Sequence, residues 1–518
     1  MLAPVPSVEP QRSVFVRTAF DDRLALQPLW RKIVCDAETP VSAYAKVRAR
    51  HSPAFLLESV VGGERWARYS FIGVGARARA VGRLVGGELR VELTPGPGFS
   101  RPEISREGEG LAQLEQVLAV FRAAPAPELP RFWGGWVGIF GHDFVRCVEE
   151  LPAPRRPEGV ELPTFDLLVT DTVVIFDNVS SEVLVVTSAC PRDDGGPEAA
   201  WDAAAERIDE VVTTLRGPGD LRPIEPSTDE VQAPRLSRAW ASPPSFRSLV
   251  SKAKSYVERG DVFQVVLSQR FDTPADDFEI FDVYRALRVT NPSPYMYVFD
   301  LGETQLVGAS PEVLVRVDRS SREITVRPIA GTRRRGATPT EDLALERELL
   351  DDPKERAEHL MLIDLGRNDV GRVSDPGSVK LTAQFVIERY SKVMHIVSEV
   401  TGRLREEVTA LDALKATFPA GTLSGAPKVR ALEIIDELEP EGRGWYGGAV
   451  GYLGFDGGAD FAICIRSAVC RGGVVSVQAG AGIVYDSTPQ QEDEECHKKA
   501  SAVHVAIEMA RQASRRRG

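Results

Sequence analysis

Several absences in this sequence are informative. Its six cysteines, Cys35, Cys147, Cys190, Cys464, Cys470 and Cys496, are spread over 518 residues without one CxxC pair. A chain of this length does not need disulfide staples, so a reduced, cytoplasmic setting is expected. Positive charge is in short supply: 63 Lys and Arg stand against 75 Asp and Glu, a formal charge of −12. That balance argues against a nucleic-acid partner, whose footprint is a basic patch or a high domain pI. No apolar run approaches the ~20 residues of a membrane-crossing helix, so no membrane partner is expected. The opening, MLAPVPSVEPQRSVF, has no basic stretch followed by an apolar one and does not read as a secretory signal. An acidic chain that handles an anion must supply local positive charge, from a cation or from particular Arg and Lys side chains.

What is present is the composition of an ordinary globular protein, 43% hydrophobic and 27% charged, long enough for two or more domain-sized units. Residues 14–217 mix short strands and helices, most clearly a hairpin of 165–176 and 182–187 around Asp177-Asn178-Val179-Ser180. Residues 218–244 are rich in Pro, Ser and charge and read as a linker or surface excursion. Residues 245–512 form the second expected unit. There, 246–259 reads as an amphipathic helix stopping at Gly260, followed by a strand over 261–271 and a helix over 280–289. Thr338-Pro339-Thr340-Glu341 is a capping box expected to open a helix to about Leu365, and Thr488-Pro489-Gln490-Gln491 opens the final one. A Gly-rich, alternating meander fills 446–485. Many strands and helices that do not alternate strictly with them make the fold class α+β.

Two helices carry paired acids. Glu492, Glu495 and Lys499 recur at i, i+3 and i+7, and Glu355 and Glu358 at i, i+3. A solvated charged face is the commoner use of such spacing. Convergence on a hard, oxygen-liganded cation such as magnesium is the other. Glycines in the strand-like runs RPIAGT and QAGAGIVYDS mark a bulge or the close approach of a ligand to the backbone. Arg466 follows the apolar run 461–465, where a strand Arg either clamps a carboxylate or is simply exposed. The alternation of 262–266 puts Gln264 on the face of Val262 and Val266, where a buried amide must find partners. His395, in the apolar run 393–397, poses the same question, with a satisfied core histidine as its default reading.

The strings DVFQVVLSQRF, GASPE, PIAGTRRRG, KERAEHLMLIDLGRND, FPAGTLSGAPK, YGGAVGYL and QAGAGIVYDS occur here in one order. That series resembles the chorismate-using enzymes: anthranilate, aminodeoxychorismate, isochorismate and salicylate synthases. It spans Phe246 to about Met509 and implies large antiparallel sheets packed as a sandwich with helices outside. The resemblance implies magnesium held by Glu358 and Glu495, with Glu355 and Glu492 reaching it through water, and the ion holding the ring carboxylate of chorismate. It also implies that Arg466, Tyr446 and the backbone of Gly480, Ala481 and Gly482 hold the enolpyruvyl carboxylate. Gly331, Thr332 and Thr422 would touch the substrate, Lys499 would add positive charge, and Glu312 of GASPE would protonate the departing C4 hydroxyl.

Two positions point to one branch of that family. Where water-using relatives carry a base Lys, this sequence has Gln264, which cannot deprotonate a nucleophile, so ammonia is expected. Ala330 stands where aminodeoxychorismate synthases of the best-known type carry a nucleophilic Lys, so direct attack at C2 is expected, followed by loss of pyruvate. His395 matches a family His near the ring and is tied to that elimination. LLES at 56–59 and NPSPYM at 291–296 resemble the elements of a feedback pocket for L-tryptophan lined by Ser59, Pro294, Tyr295 and Met296. The expectation is therefore a carbon–oxygen lyase making anthranilate, the first committed step toward tryptophan. No room is seen for a glutaminase domain, so a separate glutamine amidotransferase subunit, in a heterotetramer of two plus two, would deliver ammonia. The alternatives are the folate-pathway aminodeoxychorismate synthase and a non-catalytic tryptophan-binding paralogue.

Overall fold

Two strands are long enough to serve both layers of the molecule. Tyr69–Val85 and Phe165–Asp177 pair along their length, from Tyr69 opposite Asp177 to Gly82 opposite Phe165. Every residue of Phe165–Asp177 is buried, as expected of a strand covered on both faces. Its Thr172–Asp177 end takes Glu182–Ala189 as its other neighbour, the expected hairpin, while its Phe165–Val169 end takes Gly135–Phe140. Two sheets diverge from this fork. The computed structural model describes residues 7–18, 25–60, 68–99, 110–153, 160–224, 245–390 and 393–516.

The first sheet runs outward through Ala54–Glu58, Tyr295–Asp300, Thr304–Ser310, Ser467–Arg471 and Val474–Ile483 to Gln264–Pro274. The second runs through Gly135–Phe140, Ala449–Gly454, Ala459–Ile463, Val313–Asp318 and Glu323–Val326 to Val393–Arg403. Ile329–Arg334 and Lys380–Arg389 also pair with that last strand. All these pairings are antiparallel. Phe55, Phe71, Tyr297 and Phe299 of the first sheet meet Val450, Tyr452 and Ala462 of the second in one apolar layer. Burying each large side chain there contributes roughly 1.5–3 kcal/mol before the entropy of ordering is counted. Helices cover the outer faces: Pro489–Arg515 lies on Val474–Ile483, and Pro353–Gly371 on Val393–Arg403. This is the expected α+β sandwich with helices outside.

The fold departs from the sequence reading in three places. The helix expected over 338–365 is two, Pro339–Asp351 and Pro353–Gly371. Asp352 sits between them in extended backbone, as a residue before proline prefers, and its carboxylate accepts from the N–H groups of Lys354 and Glu355. The strand expected from residue 261 starts at Gln264. The expected boundary near residue 217 does not separate sheets, because Ala54–Glu58 and Gly135–Phe140 pair directly with Tyr295–Asp300 and Ala449–Gly454. Most of the expected linker, 225–244, lies outside the described residues. None of the six cysteines is in a disulfide. Among the described residues no helix is long and apolar enough to cross a membrane.

Candidate active site

A hydrogen bond from Gln264 to Glu358 joins the outer strand of the first sheet to the helix lying on the second. Most of the expected site residues lie on the elements around this junction, the candidate cleft. Gln264 and Gly480 to Gly482 come from the first sheet, Gly331, Thr332 and His395 from the second. Two capped helices bring the acids. Asp352 caps the helix carrying Glu355 and Glu358, and the Thr488 hydroxyl accepts from Gln491 N–H to start the helix carrying Glu492, Glu495 and Lys499.

The four carboxylates act on one another. Burial raises the pKa of Glu358, and the charges of Glu355 and Glu495 raise it further, against a hydrogen bond from Gln264 Nε2 at 3.2 Å. Burial likewise raises Glu492, with Glu495 adding to it. Two of the acids have cationic partners: Arg333 donates to Glu355 at 3.1 Å, and Lys499 pairs with Glu495 at 2.7 Å while donating to Gly480 O at 3.0 Å. Among the described residues no three His, Cys, Asp or Glu side chains stand close enough to hold a metal ion as they are placed. The donor set is nonetheless all oxygen and mutually repelling, which suits a hard divalent cation.

Glu312 stands apart from this cluster. Burial pushes its carboxyl up to about 7, opposed by a hydrogen bond from Thr422 Oγ1 at 2.9 Å and by the charge of Lys499. It thus holds its proton well above the usual carboxylate range. Glu312 and Thr422 also line a small cavity with Arg327, Asp369 and Gly421.

His395 is oriented by backbone. Its Nδ1 lies 2.9 Å from Gly331 O and 3.1 Å from Thr332 Oγ1. A carbonyl oxygen only accepts, so Nδ1 carries the proton and Nε2 keeps its lone pair. Burial lowers the pKa of the ring, and the charge of Arg466 lowers it further. Gly331 allows this arrangement with φ +65, and a Cβ there would stand 2.9 Å from Leu349 Cδ1 and 3.1 Å from Glu355 Oε2. The strand bulges at this point, between Ala330 and Thr332.

Arg466 supplies positive charge from a largely buried position. Its backbone takes φ +51, a left-handed conformation that costs a non-glycine residue of order 1 kcal/mol, and its carbonyl accepts from Ala309 N at 3.2 Å. Among the described residues, no carboxylate pairs with its guanidinium. Burial lowers its pKa, while Tyr446 and Glu495 oppose that. The Tyr446 hydroxyl lies 2.9 Å from where a Cβ of Gly480 would stand, and Gln264 Nε2 lies 2.5 Å from that of Gly482, so a side chain at either position would displace one of these two groups. Ala481 between them is fully buried.

The second expected site is also assembled. Ser59, Pro294, Tyr295 and Met296 line one pocket between the sheets, with Glu58, Phe71, Arg131, Arg316, Tyr452 and Asp460. Tyr295 donates to Asp460 at 2.8 Å and Arg316 donates to the same carboxylate at 2.9 Å, so the polar floor is bonded internally. Sequence reasoning missed Arg131, Arg316 and Asp460. The signal available was an acid at a buried phase of the strand Ala459–Ile463. It also missed the wholly buried pair of Arg443 and Glu439. Glu439 accepts from Ser268 N at 2.8 Å, and Arg443 donates to Val266 O and Leu423 O at 2.7 Å, which fixes the cleft floor.

With this geometry in hand, the comparisons agree with one another. The pattern of the chorismate binding enzymes matches residues 94–504. The anthranilate synthase component 1 of Pseudomonas aeruginosa is 47% identical over 503 residues, 97% of this chain and 99% of that one. That of Aquifex aeolicus is 45% identical over 490 residues, 93% of this chain and 95% of that one. Among solved structures, anthranilate synthase component I from Streptococcus pneumoniae superposes with a TM-score of 0.72 at 36% identity, covering 91% of this chain and 98% of that one. The menaquinone-specific isochorismate synthase of Escherichia coli shares the fold, with a TM-score of 0.67 at 19% identity over 96% of this chain and 100% of that one.

Proposed function

The chain belongs to the chorismate binding enzymes, and we propose that it is the subunit converting chorismate and ammonia to anthranilate and pyruvate. The observation that carries this reading is Glu312, an acid held near pH 7 by burial and bonded to Thr422, across from the charge of Lys499. Departure of a ring hydroxyl as water needs a proton donor, and a carboxyl with that pKa still has a proton to give at neutral pH. Arg466, beside Tyr446 and without a carboxylate partner among the described residues, supports the binding of a carboxylate in the same cleft.

The order of events follows from these groups. Ammonia attacks C2 of the ring, the double bonds shift, and the C4 hydroxyl leaves as water with the proton of Glu312. Gln264 supports ammonia over water as nucleophile. Its buried Oε1 has no donor among the described residues, so it can accept from an incoming N–H, but an amide cannot take a proton as a base. Ala330 offers no side-chain nucleophile, which supports direct attack. Loss of the C2 proton and cleavage of the C3–oxygen bond then release pyruvate and form the aromatic ring. His395 Nε2 is suited to take that proton, since Nδ1 is committed to Gly331 O and burial keeps the ring neutral.

Magnesium fits the acids of the two capped helices, with Glu358 and Glu495 as ligands and Glu355 and Glu492 acting through water. When bound it would neutralise them and hold the ring carboxylate. We assign L-tryptophan as feedback inhibitor to the pocket of Ser59, Pro294, Tyr295 and Met296, whose apolar wall suits an indole. A separate glutaminase subunit in a two-plus-two assembly would deliver ammonia, and a reduced, cytoplasmic setting suits the six free thiols.

A fluorescence assay with chorismate, magnesium and an ammonium salt, with and without tryptophan, tests the chemistry, the metal and the inhibitor. Anthranilate formed only with magnesium, and suppressed by tryptophan, is the expected result. Chorismate consumed without a fluorescent product would support the aminodeoxychorismate alternative, and no consumption at all would sink the enzymatic reading.

A further inference from the structure

The candidate active site and the pocket around Tyr295 share one strand-to-strand connection. Tyr297 lies on the pocket strand, opposite Gly308 of the next strand, which in turn lies opposite Ser467 of the third. Adjacent strands are about 4.8 Å apart, so the first and third are separated by about 10 Å. Tyr297 crosses that gap. Its ring lies over Gly308, where a Cβ would stand 2.4 Å from the ring carbons, and its hydroxyl meets Ser467 Oγ at 2.6 Å. Any side chain at position 308 would block this path.

The far end of the contact is next to Arg466. Ser467 Oγ also donates to Ile465 O at 2.8 Å, and the Tyr297 hydroxyl lies 3.4 Å from the same carbonyl. The two residues flanking Arg466 are thereby pinned. Arg466 itself sits in left-handed backbone, its carbonyl bonded to Ala309 N, and Ala309 is opposite Met296 of the pocket. A left-handed non-glycine residue persists only when its surroundings hold it. Tyr297 is buried at 2% exposure, and it also lines the pocket.

We propose that the Tyr297–Ser467 hydroxyl pair positions Arg466 for the substrate carboxylate, and that occupancy of the Tyr295 pocket acts on the active site through it. The second half rests on the tryptophan reading of that pocket, while the first half does not. Tyr297 and Ser467 are positioning residues, since neither needs to touch chorismate.

The test compares Tyr297→Phe, Ser467→Ala and the double variant, each of which removes a hydroxyl and keeps the packing. Chorismate KM and kcat are measured at saturating ammonia, tryptophan inhibition by the same assay, and tryptophan binding by direct titration. Each single variant is expected to raise KM roughly 3- to 10-fold, the scale of one lost hydrogen bond, with kcat within about twofold. The double is expected to be no worse than the larger single, because both break one link. Tryptophan should still bind with affinity within about threefold, yet inhibit less. Unchanged KM in both singles would overturn the positioning role. So would multiplied effects in the double, or a parallel fall of kcat and thermal midpoint. A wild-type protein that binds no tryptophan would remove the pocket reading and leave the KM comparison to decide positioning alone. Binding with unaltered inhibition in both variants would overturn the connection between the sites.

Discussion

The pocket around Tyr295 and the cleft around Glu312 are built between the same two sheets, yet they treat charge in opposite ways. In the pocket, Asp460 is bonded to Tyr295 and Arg316, with Arg131 at 3.6 Å, so its carboxylate has its partners before any ligand arrives. In the cleft, Glu358 and Glu492 are raised by burial and by each other's neighbours, Glu312 is held near 7, and Arg466 has no carboxylate partner among the described residues. A site that only binds can have its polar groups satisfied in advance. A site that carries out chemistry keeps groups whose best partners are the substrate, its cation or a moving proton.

The largest effect expected from breaking this contrast is at Glu312. Glu312→Gln should lower kcat by about 10²- to 10⁴-fold, measured as anthranilate formation at saturating chorismate. The same variant should stabilise the protein at alkaline pH. The folded-state pKa of Glu312 lies near 7, above the ordinary 4.5, so the unfolded chain holds fewer protons between those values. Stability therefore falls as pH rises through that window, and replacing the carboxyl should recover about 1–3 kcal/mol at pH 8, read from urea midpoints. Equal activity of the variant and the parent would remove Glu312 from the chemistry.

Next is Arg466. Arg466→Met should lower kcat/KM for chorismate by roughly 10²-fold, chiefly through KM, because a desolvated carboxylate would lose its partner. In the pocket the corresponding break is Asp460→Asn, which uncouples a buried charge from Arg316. A loss of about 3 kcal/mol in unfolding free energy is expected, with a smaller effect on turnover. A pocket variant costing more in kcat than in stability would erase the distinction between the two sites. The smallest change in turnover is expected from Ser59→Phe, which fills the pocket: inhibition by tryptophan should vanish while kcat shifts by less than about twofold. Retained inhibition would move the inhibitor elsewhere.

Much of the fold was legible because local rules agreed with the tertiary outcome. Thr338 and Thr488 cap their helices as their spacing suggests, and Gly260 ends its helix with φ +80. Val262, Gln264 and Val266 are all buried as expected, but Val265 and Leu267 of the other phase are buried as well, so the strand is covered on both faces rather than alternating. The break at Asp352 was overlooked although Pro353 announced it, because the acidic and apolar periodicity continues across it. Only half of the fork at Phe165–Asp177 was legible. The hairpin with Glu182–Ala189 was expected, but the pairings with Gly135–Phe140 and Tyr69–Val85 join segments farther apart in sequence, and a strand buried on both faces shows no alternation.

For the site, the motif strings carried the identities of the acids, the glycines and the cleft arginine, and through them the family. Spacing alone favoured a solvated face for Glu492, Glu495 and Lys499, but Glu492 is only 8% exposed. By itself the sequence determined the class of fold, the helix ends and the kinds of group available, because those depend on local propensity, periodicity and residue chemistry. Only the tertiary structure decided which groups are desolvated, which nitrogen of His395 carries a proton and which pair spans Gly308. Those properties depend on burial and on neighbours that long-range strand pairing alone brings together.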